Sequence, residues 1–425
     1  MEGLYKRVSK TFIIRFLGLG IGFILQIVLG RTLSTDVYGQ YTMYLTYTNV
    51  LMIFAIIGMD ENLIKEVSRV SENKAKSSSL LCFAIKISFS LFIITSIFAA
   101  IFHNFISTPL NMLYLFIIIL FVKVAASILD GFLQGAGFVT KVTFFNVLFN
   151  NFLKAVIFVI LITLKFDGLY SALYSFIISE AAAIVLRIVL VKKFTGDKFS
   201  LSYDLSSNEK EQFLKYSLTV ALIAGIGLLL QNIDKIMLDK LLNNTSVAIY
   251  KIAQNYVGLI GVFVTPFIAF WPVISKLYKE NKIQEIQTEM RNIVKIVTYM
   301  VIPMFFIFYF LSEKLLAIFG ESYVTADAKK VLLILSFAFL IDSISGPIGS
   351  ILNMTKYAKF TLLNNIIAVL LNVILNFIFI EKYGLAGAAV GTGIAIIANN
   401  LIAIAEVKLL LGIFSYDYKY VIEFI

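Results

Sequence analysis

Between Pro109 and Gly137 an apolar run long enough to cross a bilayer carries Lys123, Ser127, Asp130 and Gln134. Steps of four, three and four residues place these four on one face of a helix. Lys123 falls near the middle of the run, where an ammonium is costly unless it faces protein or water. Neighbouring runs repeat the pattern. Asn146, Asn150 and Lys154 recur at intervals of four, and Glu180 shares a face with Arg187 seven residues on. Lys251 is followed one turn later by Gln254 and Asn255. Arg15 is co-facial with Gln26, Lys86 with Ser90, and Asp342 with Ser345, while Asn364, Asn372 and Asn376 form a row. Lys123 with Asp130, Lys154 with Glu180, and Asp234 with Lys235 are the expected neutralising pairs.

Cations remain in excess after that pairing: Arg15, Lys86, Lys123, Lys154, Arg187, Lys235 and Lys251 against Asp130, Glu180, Asp234 and Asp342. A cationic internal site attracts an anionic group, of which phosphate and diphosphate are the common biological examples. Arg15, Lys123, Lys154, Arg187 and Lys251 are therefore the residues expected to hold a diphosphate. Asn146, Asn150, Gln254 and Asn255, which both donate and accept, suit the hydroxyls of sugars. Asp130, Glu180 and Asp342 are the candidate coupling carboxylates, since a midplane carboxylate can carry a proton. Plainer roles compete at each position. A Lys–Asp pair can pin two helices, an Asn row can bond neighbouring helices, and Arg15 or Lys86 can snorkel to the interface. Gly18/Gly22 and Gly387/Gly391 have the spacing of close helix packing. Tyr38, Tyr41 and Tyr44 have the character of an interfacial belt.

The elements that must position these groups are membrane-spanning helices. Of 425 residues, 60% are hydrophobic and 15% charged, and the mean hydropathy is +0.91. That balance excludes an ordinary soluble domain. The net charge of +10 lies mostly in the links between apolar runs, which makes it a topology signal rather than a nucleic-acid footprint. One cysteine and one histidine exclude a disulfide framework and an ordinary zinc site. The chain reads as all-α, with about twelve transmembrane helices. The expected spans are Thr11–Leu33, Val37–Ile64, Leu80–Phe102, Leu110–Gly135, Val142–Leu164, Gly168–Val191, Leu214–Leu238, Ser246–Ile274, Asn292–Leu311, Val331–Met354, Phe360–Ile380 and Gly384–Leu411. The first is too long for a signal-peptide core.

Lys and Arg crowd alternate links, such as Lys65 to Lys76, Lys192 to Lys210 (with Lys198) and Lys276 to Arg291, and recur at Lys419 in the tail. The link from His103 to Pro109 has no charged side chain. Both termini are expected on the cytoplasmic side. The long polar link after the sixth span divides the chain into an amino-terminal lobe (1–195), a cytoplasmic linker (196–213) and a carboxy-terminal lobe (214–425). Tyr41 and Tyr250, about 209 residues apart, open the second span of each half, as in a parallel repeat. Turning the polar faces inward gives two six-helix lobes around a central cavity. Catalytic motifs of the H-E-x-x-H, G-x-S-x-G and Walker A types are absent, so no enzyme activity, catalytic residue, metal or cofactor is expected.

Three motifs carry a resemblance. Arg31-Thr32-Leu33 with Tyr38-Gly39-Gln40-Tyr41 and Ile57-Gly58-Met59 resembles the amino-terminal signature of bacterial Wzx-like polysaccharide flippases. These belong to the multidrug/oligosaccharidyl-lipid/polysaccharide (MOP) exporter superfamily. Asp234 to Leu238 followed by Tyr250 resembles the opening of their second lobe. Asn372 to Asn376 with Tyr383-Gly384-Leu385-Ala386-Gly387-Ala388-Ala389 is similar to their carboxy-terminal motif. Leu33 is followed by Ser34-Thr35-Asp36, where the family often has Leu-Gly and a nearby Pro. Some members have fourteen spans, so this chain is expected to be either a twelve-span member or a shortened one, with an unusual tail from Tyr416 to Ile425.

The resemblance implies a MATE-like fold with a V-shaped cavity. It also implies movement of an undecaprenyl-diphosphate-linked oligosaccharide across the bacterial cytoplasmic membrane for O-antigen, capsule or exopolysaccharide synthesis. Coupling to protons, sodium or membrane potential follows from the superfamily, and polysaccharide polymerase machinery is an implied partner beside the lipid substrate. An ion-coupled drug exporter of the same superfamily would need an acidic cavity. A glycan polymerase or transferase would need a catalytic carboxylate or histidine and a large outer loop. Neither pattern is present.

Overall fold

The structure, a computed structural model, describes residues 2–196, 205–264 and 271–414. Lys198, Lys419, the tail from Tyr416 to Ile425, residues 197–204 of the expected linker and residues 265–270 of the expected eighth span lie outside the described residues. Every regular element among the described residues is helical, as a chain that must satisfy its own backbone in hydrocarbon requires. The order is α1 (Glu2–Thr32), α2 (Thr35–Ile56), α3 (Met59–Arg69), α4 (Lys74–Ile101), α5 (Leu113–Gly135), α6 (Val139–Thr143), α7 (Asn150–Thr163) and α8 (Gly168–Thr195). It continues with α9 (Ser207–Leu241), α10 (Asn244–Val264), α11 (Trp271–Lys279), α12 (Ile283–Phe319), α13 (Ala326–Ser345), α14 (Ile348–Met354), α15 (Ala358–Tyr383) and α16 (Leu385–Leu411). Nine spans among the described residues are long and apolar enough to cross a membrane, or eleven if two bent helix pairs each count as one. The expected eighth span, Ser246–Ile274, covers most of α10, the stretch 265–270 and the first four residues of α11.

The second expected span is not one straight helix. α2 and α3 meet at 50°, because Ile57 and Gly58 are both left-handed, with φ of 45° and 65°. Gly58 is needed there for a second reason. A Cβ on it would lie 2.4 Å from the carbonyl of Ser217 in α9. Asn62 of α3 fastens the same contact, donating to the Phe213 carbonyl at 2.8 Å and to Ser217 Oγ at 2.9 Å. The start of α9 therefore packs with the first bundle. The chain divides into compact units Met1–Leu228 and Leu229–Ile425, with the divide inside α9 rather than in the polar link before it.

In the first unit α5 is central, packing against α2, α3, α4 and α8. The span from Val139 to Thr163 contains a π-helical turn, Phe144–Phe149, between α6 and α7. Gly18 and Gly22 of α1 face Val147 and Asn151 in close packing. In the second unit α16 packs against α13 and α15, and α10 against α12 and α13. α13 and α14 meet at 44° around Gly346 and Pro347.

Candidate functional site

The polar faces of α5, α7 and α8 meet inside the first unit. Arg187 is 1% exposed. Its Nε donates to Asp130 Oδ1 at 2.7 Å, and its Nη1 stands 3.2 Å from Glu180 Oε1. Asn146 donates to Asp130 Oδ2 at 2.9 Å and accepts from Arg187 Nη2. Asn150 donates to Glu180. The Asn146, Asn150, Lys154 stripe thus stays on one side of its helix despite the π turn. This is a closed cluster, in which one guanidinium satisfies two carboxylates and two amides orient them.

Two expected pairs are corrected here. Asp130 pairs with Arg187 of α8 and not with Lys123, whose ammonium is turned instead to acceptors on α2. Glu180 likewise goes to Arg187 and Asn150 rather than to Lys154. The direct contacts of both lysines are neutral, with the charge of Glu180 within electrostatic reach of each. Lys123 Nζ donates to Thr48 Oγ1 and Asn49 Oδ1, each at 2.7 Å, and to the Leu45 carbonyl at 3.2 Å. Phe176 lies beneath both ammonium groups, its centroid 5.4 Å from Lys123 Nζ and 4.6 Å from Lys154 Nζ. No carboxylate forms an ion pair with either lysine among the described residues. The acceptors Thr48 and Asn49 and the ring of Phe176 were missed by sequence reasoning. The Tyr47-Thr48-Asn49 stretch in mid-span was the available signal for the first two.

Arg15 and Lys86 are exposed on α1 and α4 and do not join this cluster. Lys251, Gln254 and Asn255 are half-buried on α10 of the second unit. That unit has its own buried network. Asp234, 1% exposed, accepts from Tyr250 Oη and Asn376 Nδ2, both at 2.9 Å. Tyr250 also bonds Thr392 at 3.1 Å, and Asn372 bridges Asn376 and Thr392. Asp342 accepts from Asn400 at 2.8 Å, and Asn364 donates to Glu406 at 2.5 Å. The asparagine row therefore bonds α15 to its neighbours and presents neutral donors to Asp234. In each unit a tyrosine hydroxyl of the second helix bonds a polar side chain of the first: Tyr38 with Gln26 at 2.6 Å, and Tyr250 with Asp234.

An all-helical, multi-pass membrane protein with a half-buried cationic pair is what the geometry defines, and comparison with solved structures gives the class of fold. A MATE-family multidrug transporter of the MOP superfamily superposes with a TM-score of 0.77 at 15% identity, covering 94% of this chain and 98% of that one. The lipid II flippase MurJ gives 0.74 at 18% identity, covering 97% and 89%. The fold is that of the MOP superfamily. A family model described as polysaccharide biosynthesis protein matches residues 4–278, and a MatE model matches residues 220–378. The chain belongs to the polysaccharide biosynthesis protein family. Among relatives, the capsular polysaccharide biosynthesis protein CapF of Staphylococcus aureus is 24% identical over 91% of this chain and 94% of its own. The probable low-salt glycan biosynthesis flippase Agl15 of Haloferax volcanii is 30% identical over 31% of this chain and 28% of its own.

Proposed function

We propose that the protein moves an undecaprenyl-diphosphate-linked oligosaccharide from the inner to the outer leaflet of a bacterial cytoplasmic membrane by alternating access, as a transporter rather than an enzyme. The observation that carries this reading is the pair Lys123 and Lys154, two half-buried ammonium groups on one aromatic ring, with no carboxylate in ion-pair contact among the described residues. Such a pair is costly in a membrane, and a diphosphate would neutralise it. Arg187, spent on Asp130 and Glu180, shapes the site and does not bind the anion. The amides of Asn146 and Asn150 are likewise engaged with carboxylates, so Lys123 and Lys154 bear the diphosphate role in the first unit.

In this reading both termini are cytoplasmic, and the flipped glycan passes to polysaccharide polymerase machinery. Coupling to protons or sodium falls to the second unit, where Asp234 and Asp342 are held by neutral donors. Asp130 and Glu180, committed to a guanidinium, are less suited to it. The names of the glycan flippase relative and the lipid II flippase neighbour support the substrate class. The test is reconstitution in liposomes with a fluorescent undecaprenyl-diphosphate oligosaccharide. Transfer between leaflets that is lost in Lys123→Ala upholds the reading, and no transfer under an imposed proton or sodium gradient overturns it.

A further inference from the structure

At the basic-poor end of the first unit, where α5 and α8 begin, four tyrosines face one another. The hydroxyls of Tyr114 and Tyr174 are 3.2 Å apart, joining α5 to α8. The rings of Tyr170 and Tyr174 stack at 6.1 Å with 25° between planes. Tyr44 of α2 is 4% exposed, its hydroxyl donates to Met112 Sδ at 3.2 Å, and it stands within electrostatic reach of Tyr114 and Tyr170. An interfacial belt points its rings outward at headgroup level. These hydroxyls and rings instead address each other across three helices, with Tyr114 47% exposed and Tyr170 half-buried. Asp167, the nearby carboxylate, is occupied in capping α8 through the amides of Leu169 and Tyr170.

The cluster is thus aromatic, rich in hydroxyls and uncharged, and it shares α5 with Lys123 and α8 with the Phe176 ring beneath both ammonium groups. Along α5, Tyr114 precedes Lys123 by nine residues, about 14 Å of rise. On α8, Tyr174 is two residues from Phe176. Flat rings beside neutral donors and acceptors suit the apolar faces and hydroxyls of a sugar, as they do not suit a phosphate. We propose that Tyr44, Tyr114, Tyr170 and Tyr174 form a carbohydrate subsite, which takes the neutral sugars of a lipid-linked glycan whose diphosphate sits at Lys123 and Lys154. This inference rests on the diphosphate reading above.

The test is equilibrium binding to the purified full chain of farnesyl diphosphate and of farnesyl diphosphates bearing one to three neutral hexose or N-acetylhexosamine residues. The wild type is expected to bind at least one glycosylated probe about tenfold tighter than the bare one, as two or three neutral hydrogen bonds would give. Tyr170→Leu/Tyr174→Leu should erase that preference. Tyr114→Phe/Tyr174→Phe, which keeps the rings, should lower it in part, and neither pair should change affinity for farnesyl diphosphate. If the Leu pair loses the bare probe as well, the Phe pair decides. Equal wild-type binding of bare and glycosylated probes, or a preference that survives in the deciding variant, overturns the subsite and leaves the diphosphate reading standing. Failure of the wild type to bind any probe overturns both.

Discussion

The cations of the first unit look alike in sequence and differ in what surrounds them. Arg187 is enclosed by Asp130 and Glu180 with two amides completing the shell. Removing it would leave two buried carboxylates uncompensated, and Arg187→Ala should cost roughly 3–5 kcal/mol of stability. Arg187→Lys should rescue little of this, because a point charge cannot serve both carboxylates with a guanidinium's geometry. A lowered thermal midpoint and poor yield in detergent would register both losses. Lys123 and Lys154 have no such dependants. Lys123→Ala should leave the thermal midpoint nearly unchanged. It should lower transport about 10- to 100-fold, the loss of one charge-assisted contact of roughly 1.5–3 kcal/mol. If Lys123→Ala instead unfolds the protein while Arg187→Ala only slows it, the roles assigned to the two cations are reversed.

Among the elements, the α15–α16 hairpin accounts for the most recognisable stretch of the sequence. Gly384 turns the chain at φ +58°, and a Cβ on Gly387 would fall 1.9 Å from the Phe379 carbonyl. Gly387→Ala must therefore push α16 off α15, at a cost of about 1–3 kcal/mol, read as a lower thermal midpoint with Gly227→Ala, whose Cβ meets nothing, as the control. Hydropathy and the polar stripes made the helices and the inward faces legible, since burial periodicity is written into every turn. The partner of each charge was not legible. Stripe spacing says which face a side chain occupies, whereas pairing depends on which helix lies opposite and at what depth. Hence Asp130 was expected with Lys123 and is found with Arg187. The break at Ile57–Gly58 was hidden for a related reason. It is set by the approach of α9 more than 150 residues later, and the local signals, Gly58 and the polar Asp60-Glu61-Asn62 after it, do not name that partner.

For the molecule as a whole, the open quantity is the number of crossings, because twelve spans put both termini on one side and eleven put them on opposite sides. The difference lies between α9 and α12, where the expected eighth span runs from α10 into the start of α11. The single cysteine, Cys82, is buried, so Cys82→Ala gives a background free of thiols in which each link can carry one reporter. Asn104 and Leu242 stand in the basic-poor links, and Glu72 and Lys279 in the basic ones, all four exposed. With the bias of Lys and Arg setting the orientation, a membrane-impermeant maleimide added to intact cells should label Asn104→Cys and Leu242→Cys. Glu72→Cys and Lys279→Cys should react only after the cells are opened. Labelling of both Leu242→Cys and Lys279→Cys from outside would mean that α10 and α11 enter and leave on the same face, and the second unit would then have five crossings. Protection of Lys279→Cys together with labelling of Leu242→Cys fixes the eighth crossing. It also gives the two units the same orientation, the arrangement that a parallel repeat and a rocking transport cycle both require.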